Sequence, residues 1–146
     1  MVSIFRKAYS VVGVVLLLQY FLQLYFIAAA VFSVWQANDN QKDVYAGFKN
    51  GDKFAGIHAG NGDLAGIMII ILVILSFAAR QPWRTTILSG VLFVLIFLQS
   101  ILAHTGIALL SALHGVNALF LIGLTGYLTG ANWAFRRPAS AGVTPP

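Results

Sequence analysis

Four apolar stretches, each long enough to cross a lipid bilayer, leave this 146-residue chain almost nothing outside a membrane. They run from Tyr9 to Val34, Ala55 to Ala79, Thr85 to Ala103 and Ile107 to Ala131. A hydrocarbon core about 30 Å thick is crossed by about 20 apolar residues at about 1.5 Å rise each, and every stretch meets that length. Composition agrees: 59% of residues are hydrophobic and 9% are charged, against roughly 25% charged in a soluble domain. The connections after the second and third stretches are too short for anything but antiparallel neighbours. The expected fold is all-α: an integral membrane up-down-up-down four-helix bundle. It forms one domain over residues 1–135, with an outer loop at about 35–54 and a disordered tail at 136–146.

Charge position sets the expected topology. Arg6 and Lys7 precede the first span, Arg80 and Arg84 separate the second from the third, and Arg136 and Arg137 follow the fourth. An even number of spans puts these six on one face, where no acid accompanies them. On the other face Lys42, Lys49 and Lys53 are offset by Asp39, Asp43 and Asp52. The positive-inside rule then places both termini in the cytoplasm, and the expected location is a membrane that borders it. The net charge of +5 is thereby a topology signal and not a nucleic-acid footprint. With no cysteine, disulfides, thiolate ligands and thiol catalysis are excluded. The first span is too long for a signal-peptide core and reads as a retained helix.

Within the outer loop, Asn50-Gly51 between Phe48 and Phe54 is a tight-turn dipeptide. A short hairpin competes there with an irregular solvated loop. In the first span Gln19 and Gln23 lie one turn apart, as expected of side chains that hydrogen-bond to a neighbouring helix.

The chemistry-bearing residues gather at one end. His58 lies near the outer start of the second span and His114 in the outer half of the fourth. In an up-down bundle these spans are diagonal, and the two depths differ by on the order of 5 Å. Residues four apart share a helix face. Below His58 that row reads Gly62 and Gly66, and below His114 it reads Ala118, Ile122, Gly126 and Gly130. Such small-residue rows either let helices approach closely or leave a flat slot for a planar macrocycle with an axial imidazole on each side. Asn61 and Asn117 follow their histidines by three positions and could orient an imidazole or meet a propionate. His104, at the rim of the third span, reads more readily as a structural residue.

Asp63 is an expensive residue this close to lipid. It lies five positions after His58, about 140° round the helix, and so points away from the slot. It could meet Gln99 of the third span at similar depth. An interhelical hydrogen bond and a proton-handling carboxylate are the competing roles.

Several pieces resemble a small bacterial family of four-helix membrane proteins known only as a domain of unknown function. They are Gln23-Leu24-Tyr25-Phe26-Ile27-Ala28-Ala29-Ala30-Val31-Phe32, His58 followed by Gly62, Leu113-His114-Gly115-Val116-Asn117-Ala118, and Gln99. The pattern is also similar to one half of the haem A synthase family, a four-helix unit with histidine haem ligands at the outer ends of its second and fourth helices. That resemblance implies a ligand role for His58 and His114. The chain departs from it in having Ala59 where a basic residue follows the first histidine, in lacking the acid before it, and in having only one half. Haem A synthesis is therefore not implied, whereas a bound haem b is.

The leading expectation is a membrane b-type cytochrome that exchanges one electron with a redox partner or a quinone, with no catalytic residue assigned. The alternative is a non-catalytic accessory subunit of a larger membrane complex. A small proton-coupled transporter using Asp63 and the histidines ranks third.

Overall fold

The computed structural model describes residues 1–135, and the expected tail at 136–146 lies outside them. Four helices follow one another: α1 (Val2–Asp39), α2 (Val44–Ala78), α3 (Trp83–Ala103) and α4 (Ala108–Ala131). All four are long and apolar enough to cross a membrane. Neighbours in the bundle are α1 with α2, α2 with α3, α3 with α4, and α4 with α1. That ring makes α2 and α4 a diagonal pair, as the short connections predict.

Each break in the helices has a local cause. Gln41 takes a left-handed φ of 53° and the Lys42 amide turns back to the Ala37 carbonyl at 2.9 Å, closing α1. Asp43 then caps α2, its carboxylate accepting from the Tyr45 amide at 2.9 Å and satisfying a donor with no partner along the helix. After α2, Arg80 adopts φ 49° and the Gln81 amide reaches the Ser76 carbonyl at 3.0 Å. This wrapped helix end is usually built on glycine. Pro82 leads directly into α3. Gly106, at φ 67°, makes the turn between α3 and α4.

The outer loop expected at 35–54 is corrected to helix. The true connection is residues 40–43, and Asn50-Gly51 lies inside α2. The reason is close packing. A Cβ on Gly47 would sit 2.7 Å from the Ala37 Cβ, and one on Gly51 would sit 2.9 Å from the Ala30 carbonyl oxygen. Gly47 and Gly51 thus form a small-xxx-small seam that lets α2 lie against the backbone of α1. The glycine that suggested a turn is an approach point within a helix.

The packed core comprises Tyr9, Leu16, Tyr20, Ala65, Ile69, Leu72, Leu92, Leu121 and Leu128. No more than 22% of the most apolar window of any helix is buried. Leucines, isoleucines and phenylalanines instead face outward, the arrangement of a bundle solvated by lipid, where packing of small and polar groups holds helices together. At the end carrying the N-terminus, hydrogen bonds clasp the bundle. Tyr9 and Ser89 share a hydroxyl bond of 2.9 Å, and Ser10 Oγ donates to the Asn132 carbonyl at 3.1 Å. Thr85 Oγ1 donates to Asn132 Oδ1 at 3.2 Å.

Candidate functional site

At the opposite end the core stops short. The last buried residue of α3 is Leu92, and the first of α4 is Asn117. In α2, buried residues between the Gly47–Gly51 seam and Ile69 are limited to Ala65. Above that level, among the described residues, no buried apolar layer joins the α1–α2 and α3–α4 hairpins. His58 and His114 face each other there, half-buried, with ring centroids 6.1 Å apart and planes inclined by 52°.

Both imidazoles are held in the same way. His58 Nδ1 lies 3.1 Å from the Gln23 carbonyl on α1, and His114 Nδ1 lies 3.0 Å from the Gln99 carbonyl on α3. A carbonyl only accepts, so each Nδ1 carries the proton and donates. In the neutral form of a ring so held, Nε2 carries the lone pair. Anchoring one ring nitrogen to a carbonyl so that the other presents a lone pair is the arrangement found behind metal-bound histidines.

The asparagines brace the same contacts from below. Asn61 Nδ2 donates to the Gln19 carbonyl at 3.1 Å, and Asn117 Nδ2 donates to the Leu95 carbonyl at 2.9 Å and to Gln99 Oε1. Neither bonds to an imidazole, correcting the direct orienting role expected of them. Each instead pins the helix that carries a histidine to the helix that holds its Nδ1.

These bonds expose a repeat that the sequence reading missed. Phe21-Leu22-Gln23 on α1 recurs as Phe97-Leu98-Gln99 on α3, and His58-x-x-Asn61 on α2 recurs as His114-x-x-Asn117 on α4. In both hairpins histidine bonds to the glutamine carbonyl and asparagine to the carbonyl one turn earlier. Two equivalent hairpins exchanged by rotation about the bundle axis make a parallel repeat. Glutamine and histidine are 35 residues apart in one copy and 15 in the other. That difference hides the repeat from inspection by fixed period.

Other expected residues lie elsewhere. A Cβ on Gly62 would come 3.0 Å from Gln23 Nε2, so this glycine admits the glutamine side chain of α1 and does not open a slot towards α4. Ala118 is half-buried one turn beyond His114. Asp63 is exposed on the outside of α2, and Gln99 bonds to Asn117 instead. The proposed meeting of Asp63 with Gln99 does not occur. His104 is exposed, its Nδ1 2.8 Å from the Ser100 carbonyl of its own helix, and stands apart from the pair. Gln19 and Gln23 both contribute carbonyls to α2, while their buried Oε1 atoms have no protein partner among the described residues.

Two imidazoles sharing one metal through nitrogens about 2 Å from it hold their centroids on the order of 6 Å apart, the separation present here. Among the described residues no three of His, Cys, Asp and Glu come together. The pair would therefore be the whole set of side-chain ligands. That is too few for a bare tetrahedral ion but sufficient for a macrocycle that brings its own equatorial nitrogens.

The model of a protein family described as a family of unknown function (DUF6220) matches residues 45–106. The match covers α2, α3 and their connection, and so includes His58, Asn61, Gln99 and His104, whereas His114 and Asn117 lie beyond it. No curated protein and no solved structure matches the chain.

Proposed function

We propose that this multi-pass membrane protein holds a b-type haem between His58 and His114 and serves as a one-electron carrier near one membrane surface. The observation that carries the reading is the pairing itself: rings 6.1 Å apart on diagonal helices, each anchored through Nδ1 to a main-chain carbonyl. The haem would supply one-electron chemistry at its iron. The protein's part would be to fix each ring through its Nδ1, so that the Nε2 of the neutral imidazole is available to the iron.

Charge distribution supports a cytoplasmic location for both termini, which puts the histidine end on the outer side; the membrane in this reading is a bacterial inner membrane. A single site near one face does not span the membrane, so a redox partner or a quinone would complete electron flow. Asp63 and His104, both exposed, take no part in this reading.

The test is optical. Protein produced with ample haem supply should show a Soret band and a sharp reduced α-band, lost in both His58→Ala and His114→Ala and kept in His104→Ala. Colourless, folded wild-type protein would overturn it.

The accessory-subunit reading draws on a separate observation. α1 continues sixteen residues past Gln23, whereas α3 continues four past Gln99, leaving about 18 Å of α1 unmatched. This projecting hairpin exposes Trp35, Tyr45 and Phe48. Aromatic residues displayed beyond the bundle suit contact with another membrane subunit, and co-purification of a stoichiometric partner would support that reading.

A further inference from the structure

The clasped end of the bundle carries a second feature that the histidine site does not use. A cleft with a cavity volume of about 340 Å³ opens between the start of α1, the α2–α3 turn and the end of α4, lined by Arg6, Gln81, Asn132 and Trp133 among others. Its walls are fixed in advance. Arg6 Nε donates to the Ala79 carbonyl at 3.3 Å, leaving the terminal guanidinium nitrogens free to reach a ligand. Ser10 Oγ joins both the Asn132 carbonyl and the Ala134 amide, and Thr85 holds the Asn132 side chain. Gln81 also lines it.

Charge at this end is uncompensated. The chain's acids are Asp39, Asp43, Asp52 and Asp63, and none lies at the start of α1, in the α2–α3 turn or at the end of α4. Lys7 and Arg84 rest against the Phe135 and Tyr127 rings, 5.9 and 5.8 Å from their centroids, outside the cleft. A guanidinium tethered by one nitrogen presents a planar fork suited to an oxyanion. With all four helices spanning a bilayer, the cleft at their ends would open at the level of the lipid phosphates, where an aromatic such as Trp133 is favoured. Pre-ordered donors reduce the ordering cost of binding.

We infer that this cleft binds the phosphate of an anionic membrane lipid, with Arg6 as the principal contact. Basic pockets between spans at a membrane surface recognise anionic headgroups in this way. The site differs from a diffuse basic belt because, among the described residues, Arg6 is the cation that lines it.

The experiment is native mass spectrometry of the delipidated, detergent-solubilised protein titrated with phosphatidylglycerol, phosphatidylcholine or inorganic phosphate. The site predicts retention of phosphatidylglycerol at least fivefold above phosphatidylcholine. Retention should fall severalfold in Arg6→Gln, recover in part in Arg6→Lys, and stay unchanged in Arg84→Gln. Circular dichroism of Arg6→Gln checks that the helices persist, and recovery in Arg6→Lys identifies loss of charge as the cause. Equal loss in Arg6→Gln and Arg84→Gln would overturn the proposal in favour of diffuse attraction. Inorganic phosphate displacing the lipid at equal concentration would overturn the lipid as its source.

Discussion

His58 and His114 face each other at 6.1 Å between ring centroids, yet each is anchored by a different hairpin, the first to Gln23 of α1 and the second to Gln99 of α3. No hydrogen bond joins the two hairpins at this level among the described residues. The bonds between them lie at the other end, through Tyr9, Ser89, Ser10 and Asn132. The bundle is thus clasped at one end and meets at the other through a histidine pair. A ligand bridging that pair would couple the halves where the protein itself does not.

The unequal packing predicts unequal exchange. Amides of α4 over residues 108–116 should exchange faster than those over 117–128, because the buried layer begins at Asn117 and local opening follows contact density. Hydrogen–deuterium exchange in nanodiscs measures this. Added haem should slow the first segment selectively.

The two asparagines should differ in what their loss costs. Asn61→Leu removes one interhelical bond and Asn117→Leu removes two, and such bonds contribute about 0.6 kcal/mol each within membranes. Reversible unfolding in mixed micelles should show Asn117→Leu destabilising by about 1 kcal/mol and Asn61→Leu by about half that. Equal effects would count against the bond pattern described here.

Glycine substitutions should divide by environment. Gly51→Ala forces a Cβ to within 2.9 Å of the Ala30 carbonyl oxygen, and such overpacking costs about 1–3 kcal/mol. Gly60→Ala meets nothing within 4 Å and should stabilise α2 by about 0.5–1 kcal/mol through reduced backbone freedom. Thermal unfolding of the two variants should move in opposite directions.

Arg80 occupies a left-handed position, φ 49°, that costs a side chain roughly 1–2 kcal/mol. Arg80→Gly should relieve that cost and raise thermal stability. The same change removes a cation from the turn between α2 and α3, so inverted insertion should become more frequent. Cysteine-accessibility mapping of the termini reads the second effect.

Much of the architecture was legible in the chain because membrane span length is set by bilayer thickness and a helix's own hydrogen bonds. Four spans, their antiparallel order and the diagonal relation of α2 to α4 all follow from apolar runs and short connections. The stretch from Trp35 to Phe54 was misread because its polarity and its Asn50-Gly51 pair match those of a turn. What makes it helical is the approach of Gly47 and Gly51 to α1, a contact absent from any local window. Residue types likewise marked His58 and His114 but not what holds them. Gln23 and Gln99 act through main-chain carbonyls, which every residue possesses.

By itself, then, the order of residues determined how many helices there are, their direction and which end carries the histidines, because each depends on hydrophobic length and local periodicity. Only the tertiary structure decided that the two rings meet, that each Nδ1 is held by a carbonyl of the adjoining helix, and that two hairpins repeat one another. Those depend on how helices rotate and slide when packed, which is governed by contacts such as Gly51 against Ala30 and Asn117 against Leu95, between residues far apart in the chain.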